Sequence, residues 1–557
     1  MIDKLNREII IEKEISITEE ISNAITGNKN YLINRLRTSI MNAKRIDIIV
    51  SFLMESGVKM LLNDLKEALD RGVNIRILTG NYLNITQPSA LYLLKDELKN
   101  KVDLRFYNNP KKSFHPKAYM FHNELDSEIY IGSSNISRGA LTSSIEWTYR
   151  FNKSSNIGDF NVFYETFEDL FYNHSYEITD DVLKDYSKSW KKPKVQSDIE
   201  KEENSEENNV LNIFEPRGAQ IEALYGLKQS REEGYDKGLV VAATGIGKTY
   251  LAAFDSREYE RVLFIAHREE ILKQARDTFR AILKNNNFGE LMVGGRTPET
   301  LDHLFVSIQS LNSKDLCEIT SEDYYDFIIV DEFHHAAAPS YQRLLSYYKP
   351  KVLLGLTATP ERNDNKDIFK YFEDRISGEI RLPEAIDRKL LSPFQYFAVS
   401  DSVDLSKLKW QRKGYNISEL DKVYTGNDIR VNNILASLNK YITDINEVVG
   451  LGFCVSKEHA KFMALRFNEA GIPSLALTDE SKKEDRNNAK ERLVNGEIKF
   501  IFVVDIYNEG VDIPEVNTIL FLRPTESLTV FLQQLGRGLR LSEGKECLTV
   551  LDYVGQA

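Results

Sequence analysis

The chain has 557 residues, enough for about three domains, and its three cysteines, Cys317, Cys454 and Cys547, are too few and too widely spaced for a disulfide framework or a zinc site, leaving buried inert thiols. No apolar run reaches the ~20 residues that span a bilayer, and Met1-Ile2-Asp3-Lys4-Leu5 does not open a signal peptide, so a soluble cytoplasmic enzyme with no membrane partner is expected. The formal net charge of −12 weakens long-range attraction to nucleic acid but leaves local phosphate-binding grooves possible.

In chain order, residues 46–53 and 73–80 read as strands around an intervening helix. Residues 114–121 read as a strand that places His115 and Lys117 on one face, because side chains alternate. Residues 129–135 form another strand, ending in the small-residue turn Gly132-Ser133-Ser134-Asn135, and Glu146 follows eleven positions later. A histidine that attacks phosphorus, a lysine and an asparagine that hold its oxygens, and a glutamate that orients the imidazole make a sufficient set for covalent phosphodiester cleavage. His-x-Lys alone carries little; the Gly-Ser-x-Asn turn and the glutamate at that spacing carry the reading.

These residues resemble the phospholipase D superfamily over roughly residues 20 to 180, specifically its nuclease-like members with one motif copy per chain. The resemblance implies His115 as nucleophile, Lys117 and Asn135 as phosphate binders and Glu146 as orienting acid. The aspartate usual five positions after the lysine is His122 here, at a position the family uses structurally. No second His-x-Lys followed by a Gly-Ser-x-Asn turn is present, and one-copy relatives build their site across a homodimer. Lys111, Lys112 and Lys117 cluster beside this site, and Lys188, Lys191, Lys192 and Lys194 surround Trp190; each group is either a nucleic-acid patch or a solvated face.

Residues 197–209 are acidic and without apolar period, as expected of a mobile linker. Beyond it, residues 238–243 read as a buried strand and 250–254 as the continuation of a helix. Between them, Thr244-Gly245-Ile246-Gly247-Lys248-Thr249 has the composition of a phosphate loop. Its small residues let backbone N–H groups turn toward phosphates, Lys248 adds charge, and Thr249 offers a hydroxyl to Mg2+. The first glycine of the usual pattern is Ala242. A second apolar strand, 326–330, ends in Asp331-Glu332-Phe333-His334, so that Asp331 can hold Mg2+ while Glu332 polarises the attacking water. Thr357-Ala358-Thr359-Pro360 follows a third strand, and its hydroxyls can link nucleotide state to domain movement.

Far along the chain, Gly510 and Asp512 suit a strained loop of the nucleotide site where two domains meet. Gln533-Gln534-Leu535-Gly536-Arg537-Gly538-Leu539-Arg540 places two arginines three apart, hence on one helix face. Arg537 and Arg540 are candidate arginine fingers, unless they only decorate a solvated face.

From about residue 213 to the end, these motifs and their order resemble the two-lobed motor of DExH-type superfamily 2 helicases. In that resemblance, Phe214-Glu215-Pro216-Arg217 and Gln220 match the adenine-reading element, 265–269 and 306–310 the nucleic-acid-contacting motifs, and 453–456 the opening of the second lobe. Val504 stands where many relatives have threonine, which removes a backbone-phosphate contact. Nuclease-helicase fusions of this kind often continue into a further carboxy-terminal domain; the chain stops soon after 547–553, as a shorter variant or a shortened chain does.

The expected fold class is α/β, a phospholipase D-like α/β domain followed by two RecA-like parallel-sheet lobes. The expected domains are 1–185 (nuclease-like), 186–212 (charged linker), 213–385 (first lobe), 386–429 (connecting segment) and 430–557 (second lobe). The expected function is an ATP- and Mg2+-dependent nucleic-acid helicase or translocase, more naturally on DNA, with a phosphodiesterase domain that pairs as a homodimer. The alternative is an ATP-driven remodeller whose amino-terminal domain binds and dimerises without cleaving. A restriction or phage-defence role rests on analogy alone.

Overall fold

The computed structural model describes residues 22–27, 30–81, 85–99, 101–108, 113–191, 215–294, 296–360, 368–404, 408, 410–411, 414–478, 481, 483–504, 513–524, 527–542 and 544–556. The acidic segment 197–209, Lys111, Lys112, Lys192, Lys194, Phe214, Gly510 and Asp512 lie outside these residues. By its contacts the chain divides into residues 1–225 and 226–557, a division that falls within the helix Ala219–Glu232.

The first unit is built on eight strands, β1 (Ala24–Ile25), β2 (Arg45–Val50), β3 (Asn74–Thr79), β4 (Asp103–Tyr107), β5 (Lys117–His122), β6 (Glu128–Gly132), β7 (Thr148–Asn152) and β8 (Ser175–Glu177). They form one mixed sheet in the order β1-β7-β6-β5-β2-β3-β4-β8. The two strands read around a helix are β2 and β3, which pair in parallel on either side of the crossover helix Glu55–Asp70. Both faces are covered. One packs Ile46, Ile48 and Val50 with Tyr119 and Phe121, and the other packs Ile49 and Leu78 with Met120 and Phe160.

His122 has a structural place in this sheet. Asp47, fully buried in β2, accepts a hydrogen bond from Arg76 Nε at 2.7 Å, and His122 Nε2 lies 2.8 Å from its other oxygen. Arg76 also donates to Glu168 at 2.6 Å. Burial alone would raise the Asp47 carboxyl, but the bonds from His122 and Arg76 and the charges of Arg76 and Arg45 together hold it below its ordinary value. A carboxylate so lowered stabilises the fold above its unfolded value of 3.8, and that contribution is lost as pH falls through the folded value. Asp47→Asn is expected to cost about 3 kcal/mol, because it leaves Arg76 buried with one counter-charge removed. A lower denaturation midpoint at unchanged slope is the check; an unchanged midpoint would show the network to be without net effect.

Residues 226–557 hold two further sheets in which every pairing is parallel, as in RecA-like lobes. The first contains β9 (Lys237–Ala242), β10 (Val262–Ala266), β11 (Glu290–Met292), β12 (His303–Ser307), β13 (Phe327–Val330), β14 (Val352–Thr357) and β15 (Gly378–Ile380), ordered β11-β12-β10-β13-β14-β9-β15. Its central strands read as unbroken apolar runs because helices cover both faces of such a sheet.

Beyond it come β16 (Phe394–Asp404), the two-stranded pair β17 (Trp410–Gln411) and β18 (Gly414–Tyr415), then β19 (Gly450–Phe453), β20 (Ser474–Leu477), β21 (Phe500–Val503), β22 (Thr518–Phe521) and β23 (Leu548–Gln556). The second sheet runs β16-β23-β22-β19-β21-β20, so the segment 386–429 contributes its edge strand β16. Arg430, fully buried, fastens that strand: it pairs with Asp401 at 2.8 Å and donates to the Leu522 carbonyl at 2.9 Å. Val504 packs against the core of this lobe, where an apolar side chain suits it better than a hydroxyl.

Candidate phosphate-loop and phosphodiesterase sites

The loop after β9 turns sharply: Gly245 and Gly247 have φ of 100° and 93°, left-handed values that a side chain resists. Gly247 caps the helix Lys248–Asp255, so the loop ends on a helix N-terminus whose N–H groups face outward, a geometry suited to phosphate. Lys248 Nζ donates to the Ala242 carbonyl at 3.1 Å, folding back across the loop. Thr249 is the second residue of the same helix.

Asp331 and Glu332 leave the tip of β13 in the same sheet, two strands from β9. Glu332 is a non-glycine residue held at φ of 49°, and its backbone N–H donates to Asp331 Oδ1 at 3.0 Å. Burial works against its charge. The close approach of His334 Nδ1, 3.2 Å from Glu332 Oε2, and the charges of Lys248, His334 and His335 outweigh that and bring the carboxyl down to about 2. A carboxylate this acidic accepts a proton poorly, so it can act by orienting and polarising water. His334 Nδ1 also lies 3.2 Å from the hydroxyl of buried Thr357, which holds the Thr359 backbone. His334 is thus the link from Glu332 to the Thr357-Ala358-Thr359 turn. Sequence reasoning missed it, although its place two residues after Glu332 was a usable signal.

The second lobe reaches this loop. A Cβ on Gly536 would lie 2.6 Å from Thr244 Cβ, so only glycine lets the helix Leu528–Gly538 approach the phosphate loop so closely. A Cβ on Gly245 would meet Arg540 Cγ at 3.3 Å and Nε at 3.8 Å, which places the Arg540 side chain along the loop. The two arginines do not share a helix face: Arg537 ends the last turn, whereas Arg540 lies beyond the helix, released by its termination at Gly538. Between the lobes a cleft of about 1000 Å³ is lined by His267, Arg268 and Gln309 from the segments read as nucleic-acid-contacting motifs, His335 from the turn after Glu332 and Gln533 from the arginine-bearing helix, among others.

Gln220 stands near the start of the helix Ala219–Glu232, and its Oε1 accepts the Arg217 N–H at 3.3 Å. The element preceding it is held by the helix Glu55–Asp70: Glu55 accepts the Gly218 N–H at 2.9 Å and Lys59 donates to the Pro216 carbonyl at 3.0 Å.

In the first unit the strand starts at Lys117, so His115 sits exposed in the segment before it. Pro116 cannot donate to the ladder, which accounts for the late start. Lys117 Nζ donates to the His115 carbonyl at 3.0 Å, and burial lowers its pKa below the ordinary lysine value while the nearby Glu146 charge partly restores it. Asn135 is buried, its side-chain oxygen accepting the Phe52 N–H at 3.3 Å. Ser133 donates to the Glu146 carboxylate; among the described residues no hydrogen bond joins Glu146 to the His115 imidazole. The structure therefore gathers Lys117, Glu146 and the Ser133-Ser134-Asn135 turn, with His115 open to solvent beside them. Trp190, read as the centre of a basic patch, is buried in the core, where it follows the helix Asp180–Ser189 as its C-cap, its backbone N–H donating to the Ser187 carbonyl.

No helix among the described residues is long and apolar enough to cross a membrane. Cys317 and Cys454 are buried and Cys547 half-buried. Three families match the chain: "Cardiolipin synthase, PLD-like domain" over residues 36–168, "Type III restriction enzyme, res subunit" over 213–362 and "Helicase conserved C-terminal domain" over 434–542. A 51.5 kDa protein of a Lactococcus phage is 28% identical over 294 residues, covering 52% of this chain and 59% of that protein. The Type I restriction enzyme EcoAI endonuclease subunit of Escherichia coli is 25% identical over 386 residues, covering 61% of this chain and 46% of the subunit. The chain thus spans about three fifths or less of these relatives. Among solved structures, the ATP-dependent Type ISP restriction-modification enzyme LlaBIII bound to DNA matches with a TM-score of 0.50 at 17% identity, over 62% of this chain and 28% of that one, a likeness of fold. Motifs, parallel sheets and family matches converge: the chain is a phospholipase D-like domain fused to the two lobes of a superfamily 2 helicase.

Proposed function

We propose that this protein is an ATP-driven helicase or translocase acting on DNA, whose amino-terminal domain is a phosphodiesterase that cuts the nucleic acid the motor engages. The observation that carries the motor reading is the approach of Arg540 and Gly536 to Gly245 and Thr244, which makes a phosphate site from two lobes. Thr244, Gly245, Gly247 and Lys248 cradle the phosphates of ATP, Thr249 and Asp331 hold Mg2+, Glu332 orients water, and Gln220 reads adenine. Mg2+ supplies neutralisation of phosphate charge when bound. Gly510 and Asp512, outside the described residues, keep their sequence-based assignment to the nucleotide site, and Arg537 and Arg540 stabilise charge on the transferred phosphoryl group. The restriction enzymes among the relatives favour a cytoplasmic role in DNA restriction or phage defence.

Arg540→Ala is expected to lower DNA-stimulated kcat for ATP about a hundredfold, with nucleotide affinity changed far less, as for a contact that tightens in the transition state. Equal kcat in variant and wild type would remove the two-lobed site.

The phosphodiesterase reading rests on Lys117, Asn135 and Glu146 standing around exposed His115. One chain offers one such histidine-lysine set, while the covalent route needs a nucleophile on one side of phosphorus and a proton donor on the other. A two-fold homodimer supplies both. Ile145, Trp147 and Tyr149, exposed at alternate positions beside Glu146, provide an apolar row for such pairing. Sedimentation of the full chain tests this; a monomer that still cleaves would refute it.

A further inference from the structure

Lys545 follows the arginine-bearing loop and precedes β23, and its ammonium donates to three main-chain carbonyls: Gly538 at 2.6 Å, Arg540 at 2.8 Å and Pro514 at 3.0 Å. An ammonium has three N–H donors and no acceptor, so these carbonyls use it completely. A lysine head group ordinarily stays in water by extending its stem; this one is turned inward onto backbone.

Each bond acts on the loop that carries Arg540. Gly538 ends the helix Leu528–Gly538, and the last carbonyls of a helix lack intrahelical partners and favour a cation. Arg540 lies past that end, outside any helix or strand, while its side chain runs along Gly245 of the phosphate loop. Pro514 belongs to the segment that leads into β22, so the same ammonium ties the arginine loop to the sheet of the second lobe. Glu515, next in that segment, adds a negative charge near the ammonium.

We propose that Lys545 is a positioning residue for Arg540, fixing the main chain of the arginine loop at the distance from which its guanidinium meets the phosphate site. This rests on the reading of Arg540 given above. With the ammonium removed, three carbonyls lose their common donor and the loop between Gly538 and Ser542 gains alternative conformations. Displacement of a catalytic charge by about 1 Å costs as much as a hundredfold in rate, without the charge itself being lost.

The test is steady-state ATP hydrolysis by the full chain, stimulated by circular single-stranded DNA, for wild type, K545M, K545R, R540A and the K545M/R540A pair. K545M is expected to lower kcat about tenfold while KM for ATP changes less than about threefold. K545R, which keeps the charge and the donors, recovers most of that loss. In the R540A background K545M has no further effect, because a residue that acts through Arg540 has nothing left to position. Wild-type kcat in K545M, or the full K545M loss repeated on top of R540A, would overturn the proposal. K545A, which adds no bulk, makes the same comparison where methionine prevents folding. If R540A itself leaves kcat unchanged, the reading of Arg540 fails; if R540A slows the enzyme and K545M does not, only the role of Lys545 fails.

Discussion

Replacing Lys248 by alanine is expected to cut DNA-stimulated ATP hydrolysis roughly a thousandfold or more while the fold survives. The side chain packs into no core: it opens the helix Lys248–Asp255 and spends its ammonium on one loop carbonyl, that of Ala242. Its removal therefore takes a positive charge from the phosphate site and little else. Far-ultraviolet circular dichroism should be unchanged, and turnover measured with saturating DNA should fall to background. Undiminished turnover would dismiss the motor assignment. Glu332→Gln is the companion. It retains the shape that the left-handed backbone at 332 demands, but it offers water a neutral amide in place of a carboxylate, and hydrolysis should slow by about 10²–10⁴ with ATP still bound. Since the Glu332 carboxyl is held down to about 2, it remains ionised in mild acid, and kcat should not lose this group as pH falls from 7 to 5. Loss of ATP binding in the glutamine variant would mean that Glu332 shapes the site instead.

Replacing His115 by alanine is expected to abolish phosphodiester cleavage, a loss of about 10⁴ or more, since no other group can take the nucleophile's part. In the proposed step an imidazole nitrogen bonds to phosphorus, the P–O bond to the leaving group breaks, and the departing oxygen takes a proton from the histidine of a second copy. Water then displaces the imidazole, giving a proton to the second histidine, so that both histidines are restored. His115 is exposed and so accessible to a phosphate, while Lys117, turned back toward the His115 carbonyl, is placed to change partners when a phosphate enters. Nicking of circular DNA in the presence of a chelator reads this out. Cleavage should persist there as the Mg2+-dependent ATPase stops. Cleavage that vanishes with the metal and ignores His115→Ala would exclude the covalent route, and no cleavage under any condition would favour an amino-terminal domain that binds and dimerises without cutting.

Much of the motor could be read before any coordinates, for a definite reason. A phosphate loop must follow a buried strand and open a helix, so the apolar run 238–243, the small residues 244–247 and the helix formers after them are contiguous in the chain. The same holds for Asp331 and Glu332 at the end of 326–330. Local order also made the two β2 and β3 strands legible. The late start of β5 was not, because Pro116 interrupts pairing without interrupting the alternation of His115 and Lys117. Nor was the end of the arginine helix: the spacing of Arg537 and Arg540 implied one helix face, whereas the helix stops at Gly538 between them.

Local pattern is enough to name the separate chemistries: a phosphate loop, a paired acid at a strand tip, a His-x-Lys segment with its asparagine and glutamate, and their order along the chain. Which distant residues meet is a matter of packing. Gly536 against Thr244, Arg540 along Gly245, His334 between Glu332 and Thr357, and Lys545 on three carbonyls each join segments separated by tens or hundreds of residues, or by a turn whose course pattern alone leaves open. Periodicity reports which face of an element is buried, since burial repeats with the helix or strand. It carries no record of which other element covers that face, and the approach of two backbones through a glycine, or the turning of one ammonium onto three carbonyls, depends on that packing alone.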